Sequence, residues 1–516
     1  MPTILKSSTS RVTPYHNWTR EELIARLQKV DTSYTPQGPT ASTQAPFDFS
    51  THPRRKIALK FCYAGTEYNG LEFQKDYTPL PTVEGVLYDA LVRTRLIDPE
   101  LGFEGCGWEK CGRTDKGVSA AGQVISLWVR SNIRKREEEV EKVVHEIESP
   151  SIEETEEAAV ETLEEDLPLM AEVEASFTSS CIQTRAPTCT LEIPYIQVLN
   201  RVLPPTIRIL AWSPVSPTFS ARFACQFRHY KYFFPATSDL DIPRMQDAAS
   251  RLVGSHDFRN LCTIDASKQI ENYKRQIFRA EISKVGPDES GMEVGAMHVF
   301  DLVGNAFLYN QVRSIMAVLF LVGTGLEEPY LVSSLMNVDT SNPLPPFKPD
   351  EPISVVDRRP SYQMADGLPL MLWNCGYPVS EVKWQIDDDG DEAAMTTNVR
   401  HQLASIYTRS RIATTLDGHF LRAAAQYHSL PNSPLPVKTS GERVAVIKSQ
   451  KTVLSVPIGG GVHVRTAKYR PMLTRERQEN PSVVNERWRK GRGKKRWEAR
   501  LERQTQGDAL LEDADE

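Results

Sequence analysis

"CGRTDKGVSAAGQVISL", residues 111–127, joins a polar, glycine-containing turn directly to an apolar run. The two glycines permit a sharp backbone path, and the run at 123–129 alternates as a strand with one buried face does. Asp115 is the one acid of the turn and lies between Arg113 and Lys116. The segment therefore predicts a carboxylate held in a basic turn at the mouth of a sheet.

Strands and helices alternate irregularly on both sides of this segment, and further helices are predicted at 19–30 and 396–425. A mixture of hairpins and helices favours the α+β class, with helices stacked on mostly antiparallel sheet. The halves 57–129 and 195–377 look like two related lobes. The patterns in these lobes predict strands at 57–63, 123–129, 207–215, 227–235, 277–285, 297–304 and 368–377, and helices at 82–97, 195–203, 244–254 and 306–325.

Composition divides the 516 residues into five parts. Ser, Thr and Pro at the N-terminus indicate a flexible segment, and a glutamate-rich stretch between the lobes indicates a solvated insertion. The predicted parts are a flexible N-terminal segment 1–53, an N-terminal lobe 54–130, an acidic insertion 131–190, a C-terminal lobe 191–380 and a C-terminal extension 381–516 with a basic tail.

The formal net charge of −6 hides an uneven distribution. Between 137 and 174 glutamates abound, and Lys142 is the only lysine or arginine. The remainder of the chain is net basic, which suits a polyanionic partner. An ordinary mixed surface is the alternative interpretation.

Cysteine spacing and hydropathy limit the classes of protein that the chain can belong to. The eight cysteines include no C-x-x-C pair, and no histidine pair has the spacing of a zinc finger, so we expect reduced thiols and no metal site. The longest apolar run, around 315–322, is too short to span a bilayer. We therefore expect a soluble protein without a membrane partner.

Asp115 is the first candidate for chemistry. A carboxylate there can be a metal ligand, a nucleophile, a general base or simply a turn residue paired with Arg113. Neighbouring Arg113 and Lys116 would keep the acid ionised, as a nucleophile or base requires. A metal-dependent phosphotransferase is disfavoured, because no second aspartate lies two residues away.

Two further segments carry candidate side chains. In residues 221–234, Arg222, Arg228 and Lys231 interleave with aromatic residues, a pattern that can grip phosphates while rings stack on a base. An amphipathic strand with buried tyrosines is the alternative.

Arg313 lies beside the apolar stripe of a predicted helix, either as a buried partner for an acid such as Asp115 or as a surface arginine whose stem packs on the core.

The motifs together resemble one family. "GRTDKGVSA" with "GQVISL", then "FSARF" with "RHYKYFF", "NAFLYNQVRSIMAVLFLVGTG" and "GLPLMLWNCGYP" are similar to the ordered motifs of the tRNA pseudouridine synthase family whose bacterial members act on the anticodon stem-loop. "HDFRNLC" at 256–262 resembles the eukaryotic branch that modifies tRNA positions 38 and 39. The resemblance covers roughly 55–130 and 190–378, and it extends to 468–488.

The resemblance implies a fold of two α/β lobes whose sheets join across a basic cleft. It also implies a reaction and a set of residue roles. Uridine is isomerised to pseudouridine without cofactor or metal, and the target base is flipped out of its stem. By the same resemblance, Asp115 is the essential aspartate, Arg113 fills the vacated space and Tyr230 stacks on the flipped base. Arg313 pairs with the acid and Leu370 lines the uracil pocket. Ser119 stands where many relatives carry histidine.

The resemblance also implies tRNA as partner, and a homodimer is expected by analogy with bacterial members. We expect the protein in nucleus and cytoplasm. The basic tail at 485–504 either binds RNA phosphates, serves as a nuclear import signal or forms a solvated charged helix. Two alternative functions stay open: a sister pseudouridine synthase with broader RNA targets, and a non-catalytic tRNA-binding factor on the same scaffold.

Overall fold

The computed structural model describes residues 47–133, 192–237, 240–286, 296–386, 399–428, 454–466 and 468–498. The predicted helix at 19–30 and most of the acidic insertion lie outside these residues. The strands of the described residues are β1 (Arg54–Tyr63), β2 (Glu109–Lys110), β3 (Ser119–Arg130), β4 (Ile207–Pro214), β5 (Phe227–Pro235), β6 (Gly254–Asp257), β7 (Lys274–Lys284), β8 (Met297–Gly304), β9 (Leu370–Gly376), β10 (Leu454–Gly459) and β11 (Val462–Thr466).

Nine of these strands form one continuous sheet in the order β4-β1-β3-β9-β5-β8-β7-β6, with β2 paired beside β3. All strand pairs in it are antiparallel except β3 with β9. That parallel pairing consists of Ser119 opposite Met371 and Ala120 opposite Leu372, so it is a short seam between two half-sheets. The prediction of an α+β fold with a mainly antiparallel sheet is confirmed.

Each half-sheet has its own apolar core. One core packs β1, β3 and β4, and the other packs β5, β7 and β8. Tyr232 on β5 is fully buried against Phe320. Alternate side chains of this strand therefore pack in the second core. The helices of the described residues are α1 (Val83–Arg93), α2 (Gly102–Gly105), α3 (Tyr195–Val202), α4 (Ile242–Ser250), α5 (Gln311–Gly323), α6 (Tyr330–Met336), α7 (Val399–Ala425) and α8 (Pro481–Lys490).

Two predicted helices are shorter than their apolar patterns. The helix predicted at 306–325 begins only at Gln311, because Asn310 has the left-handed φ of 57° and interrupts the helical path. The helix predicted at 82–97 ends at Arg93, and Arg95 is likewise left-handed with a φ of 54°. Apolar residues just outside each helix therefore made both predicted helices too long.

The C-terminal extension returns to the second core. The hairpin β10–β11 was not predicted, and Val456 on β10 is part of that core. After the hairpin, the chain contacts the buried Glu327. The Glu327 carboxylate accepts hydrogen bonds from the Tyr469 hydroxyl and from the backbone N–H of Met472, the latter at 2.6 Å. Burial raises the pKa of the Glu327 carboxyl. These buried polar contacts thus fix the segment after 468 to the part of the fold that contains the second core.

None of the described helices has the length and apolar composition needed to cross a membrane. The longest of them, α7, exposes nearly all of its side chains. The boundaries assigned to the five parts of the chain stay predictions.

The "HDFRNLC" motif is largely a core element. Phe258, Asn260 and Cys262 are buried, and the Asn260 amide donates to the carbonyls of Leu335 at 2.9 Å and Val356 at 2.6 Å. These two bonds tie the motif to the end of α6 and to the segment that follows it. Asn260 therefore acts through packing.

Replacing Asn260→Ala should lower the free energy of unfolding by about 2 kcal/mol, because two buried carbonyls lose their donor. Chemical denaturation followed by circular dichroism measures this loss. Asn272→Ala is the control, since the exposed Asn272 only caps a turn at Lys274 and should cost about 0.5 kcal/mol. Equal effects of the two substitutions would contradict the buried role of Asn260.

Candidate active site

The loop that carries Asp115 is held by polar contacts on both sides. The Gln123 amide donates to the Gly112 carbonyl at 2.9 Å, and the Tyr63 hydroxyl is hydrogen-bonded to Thr114. Burial raises the pKa of Tyr63, so its hydroxyl keeps its proton. These side chains fix the backbone on either side of the Asp115 carboxylate.

Asp115 itself lies in a tight turn that directs its side chain into a cavity. The Val118 N–H donates to the Asp115 carbonyl at 3.1 Å, and Gly117 adopts a φ of 82° that favours glycine. β3 begins directly afterwards, at Ser119. The carboxylate therefore projects from a turn whose ends are both anchored in the sheet.

Arg313 is the cation that faces this carboxylate. Its Nη1 lies 3.6 Å from Asp115 Oδ2, and its side chain is 16% exposed. The guanidinium also donates to the Ala365 carbonyl at 2.9 Å and to Asn310 Oδ1 at 3.3 Å. The position of Arg313 near the N-terminus of α5 is thus fixed before any substrate binds, and the buried-partner interpretation of Arg313 fits the structure.

Asp115 and Arg313 lie at the wall of a cavity of about 830 Å³. This volume can accommodate a nucleoside and part of its backbone. The basic residues that line the cavity outnumber the acidic ones by six to three, which favours a polyanionic ligand. The basic residues are Arg113, Lys116, Arg222, Arg228, Lys268 and Arg313, and the acidic ones are Glu72, Asp115 and Asp265.

Tyr230 and Leu370 supply the apolar surface of the same cavity. The Tyr230 ring packs edge-on against Phe307 with centroids 5.0 Å apart, so one ring edge is already supported. Leu370 is the first residue of β9 and is 5% exposed. All five candidate site residues, Arg113, Asp115, Tyr230, Arg313 and Leu370, line this one cavity.

Arg113 has a partner that sequence reasoning missed. Its Nη2 lies 2.7 Å from Glu72 Oε1, and Lys110 Nζ approaches the same carboxylate at 3.4 Å. Glu72 lies at the rim of the cavity, with its side chain 41% exposed. Arg113 thus forms an ion pair with Glu72, and Arg313 forms one with Asp115.

The phosphate-gripping interpretation of two basic residues on β5 is not supported by their contacts. The Arg228 guanidinium is used internally: it donates to the carbonyls of Cys111, Arg222, Cys225 and Asn305. Lys231 pairs with Asp301 at 2.9 Å, on the strand face opposite to Tyr230. The alternating pattern of a strand cannot show whether a basic side chain contacts a phosphate or a group of the protein itself.

Ser119 has a defined structural role. Its hydroxyl accepts a hydrogen bond from the Gly65 N–H at 3.0 Å. The contact links the start of β3 to the segment that follows β1. Serine at this position therefore supports the loop geometry, and its presence is compatible with an intact site.

Three cysteines meet close to this loop, although their spacing in the sequence gave no indication of it. The sulfur atoms of Cys111, Cys225 and Cys375 lie within 4.8 Å of one another. They are separated by more than a hundred residues in the chain, so a search for short cysteine motifs could not find them. Cys106, which is near Cys111 in sequence, is not a member of this group.

A carboxylate paired with a fixed arginine, beside an aromatic wall in a mainly basic cavity, fits an enzyme class that acts on a nucleoside within a nucleic acid. Comparison with known proteins agrees with this class. A family model described as tRNA pseudouridine synthase matches residues 248–378.

Curated relatives extend the match over most of the chain. The tRNA pseudouridine(38/39) synthase of Saccharomyces cerevisiae is 37% identical over 401 residues, 72% of this chain and 74% of the yeast protein. The Homo sapiens protein of the same description is 35% identical over 446 residues, 84% of this chain and 76% of its own length. The chain belongs to the tRNA pseudouridine synthase family, which confirms the resemblance drawn from the motifs.

A more distant relative lies in the archaea. The tRNA pseudouridine synthase A of Methanothermobacter thermautotrophicus is 27% identical over 297 residues, which are 57% of this chain and 78% of that protein. Its match is shorter on this chain than the eukaryotic ones.

The pairing of Arg113 with Glu72 predicts that Glu72 opposes RNA binding. Glu72→Gln should tighten tRNA binding by about threefold, because it removes a negative charge from the cavity rim and frees a cation from a surface ion pair worth up to ~1 kcal/mol. Filter binding at fixed ionic strength measures the dissociation constant.

The control for this prediction is Glu100→Gln, an exposed carboxylate outside the cavity lining. It changes the net charge equally and should leave the dissociation constant nearly unchanged. Weaker binding by Glu72→Gln would instead mean that Glu72 holds Arg113 in its productive position.

Proposed function

We propose that this protein isomerises uridine to pseudouridine at positions 38 and 39 of the tRNA anticodon stem-loop. The observation that carries the proposal is Asp115 placed 3.6 Å from Arg313 at the wall of a basic cavity of nucleoside size. The relatives described as tRNA pseudouridine(38/39) synthases support these two positions.

The reaction is an isomerisation whose atoms balance within the substrate. The N1–C1′ glycosidic bond breaks, the uracil rotates and a C5–C1′ bond forms. The proton on C5 is then lost, and N1 gains one. No group is transferred to the protein in the net reaction, so the task of the site is to hold the detached base and to stabilise charge near the sugar.

The side chains divide this work. Asp115 acts at the sugar as nucleophile or base, both of which need its ionised form, and Arg313 stabilises that charge. Tyr230, supported by Phe307, stacks on the flipped base, and Leu370 adds apolar surface to the same cavity. Arg113 separates from Glu72 and fills the space that the flipped base leaves in the stem.

The test is site-resolved pseudouridine mapping on tRNA incubated with the wild-type protein and with Asp115→Asn. The wild type should give product at 38 and 39. The variant should give none while still binding tRNA, because the neutral amide keeps the shape of the side chain and loses its charge.

Asp265→Asn is the matched control, since Asp265 lines the same cavity and its carboxylate caps the turn at Ser267. This variant should form product at the same positions. Product elsewhere in the wild type would assign the protein to a sister synthase with broader RNA targets. Binding without product would indicate a non-catalytic tRNA-binding factor.

The basic tail is proposed as a second tRNA contact. Asn485 in α8 is buried and donates to the Ile270 carbonyl at 2.9 Å, so a deletion starting at 485 would disturb the fold as well as the charge. Charge substitutions beyond α8 avoid this problem, because Arg492, Lys494, Lys495 and Arg496 are exposed.

Replacing these four residues with glutamine should weaken tRNA binding and make its salt dependence shallower. Each phosphate contact contributes roughly 0.7–0.9 to the slope of log K against log salt, so losing two or more contacts is measurable. The melting temperature should stay unchanged as evidence of an intact fold. A salt slope identical to that of the wild type would contradict the tail's role in binding RNA.

Two expectations complete the proposal. By analogy with bacterial members of the family, the protein functions as a homodimer that binds one tRNA across both subunits. Its basic tail is suited to nuclear import, which is in line with a protein that works in nucleus and cytoplasm. Sedimentation of the purified protein and microscopy of tagged chains test these two points.

A further inference from the structure

We propose that Cys111, Cys225 and Cys375 form a structural site for Zn²⁺. Their sulfur atoms lie within 4.8 Å of one another, and each residue is less than a tenth exposed. Thiolates around a tetrahedral Zn²⁺ lie about 3.8 Å apart when each Zn–S bond is about 2.3 Å, so the three sulfurs need to move by only about 1 Å to bind the ion.

The three ligands come from different parts of the fold. Cys111 follows β2 at the start of the loop that carries Asp115, Cys225 precedes β5, and Cys375 lies in β9. A metal here would join the catalytic loop to the second half-sheet. Such a link would add to the connection between the two half-sheets, which are joined by only two residue pairs between β3 and β9.

Arg228 gives the site the charge that it needs. Three thiolates and one Zn²⁺ carry a net charge of −1, and the guanidinium beside them neutralises it. Arg228 donates to the Cys111 carbonyl at 3.0 Å and to the Cys225 carbonyl at 3.2 Å, so it also fixes the backbone of two ligands. Such outer contacts orient ligands in metal sites.

Access and proton balance are compatible with binding. Cys225 lines the active-site cavity, which gives an ion a path to the cluster and gives water a path to the fourth coordination position. Binding converts three thiols to thiolates and releases three protons to solvent, while the Cys225 thiol gives up its hydrogen bond to the Phe227 carbonyl. No oxidant or reductant takes part. The role is structural and is separate from the isomerisation chemistry.

The experiment uses the full chain without an affinity tag, reduced and incubated with ZnCl₂, then desalted and analysed by mass spectrometry for metals. We expect one equivalent of zinc per chain in the wild type and its loss in Cys111→Ser, Cys225→Ser and Cys375→Ser. Cys262→Ser is the matched control, because Cys262 is equally buried and lies outside the cluster. It should retain the metal.

Two further measurements keep the test decisive if a serine variant fails to fold. Cd²⁺ added to the folded wild type should give the ultraviolet cadmium–thiolate charge-transfer band, and zinc should raise the melting temperature. A wild type that retains no zinc and shows no such band would overturn the proposal. So would equal zinc content in the wild type and all three cluster variants, or a wild type whose intact mass shows a disulfide in place of bound metal.

Discussion

Everything in the active site depends on how the loop 111–118 is held where two half-sheets meet. The seam between β3 and β9 contains only two residue pairs, so the backbone ladder alone cannot fix this loop. Side chains do so instead: Gln123 binds the Gly112 carbonyl, Tyr63 binds Thr114, and Arg228 binds the Cys111 carbonyl. A preorganised carboxylate needs such support, because misplacement by about 1 Å costs much of the rate.

The two arginines of the site, Arg113 and Arg313, are held in different ways. Arg313 is anchored by the Ala365 carbonyl and Asn310, so it faces Asp115 in a fixed position. Arg113 instead forms an ion pair with Glu72, in which the two side chains are 35% and 41% exposed. A partly exposed ion pair holds a side chain less firmly than the contacts of Arg313 do, which is consistent with the proposed role of Arg113 in the RNA stem.

Alternation and helical period predicted seven of the nine strands of the sheet and the main helices that pack on it, because these patterns report burial directly. The short strands β2 and β6 were missed, and Leu370 was assigned to the site only by the resemblance to the family. Sequence patterns could not reveal contacts between distant segments. Arg228 looked like a phosphate ligand because a strand pattern shows which face a side chain occupies but not which carbonyl it meets. Glu72 and the cysteine cluster escaped notice for the same reason, since their partners lie far away in the chain.

The distribution of charge follows from this architecture as well. The whole chain is acidic, yet the residues lining the cavity are twice as often basic as acidic. Net charge therefore says little about the partner, whereas the local field of the cavity attracts a polyanion. Within that field, Asp115 is stabilised as an anion by a cation that the fold itself supplies. A carboxylate able to react with a nucleoside among phosphates requires both conditions together.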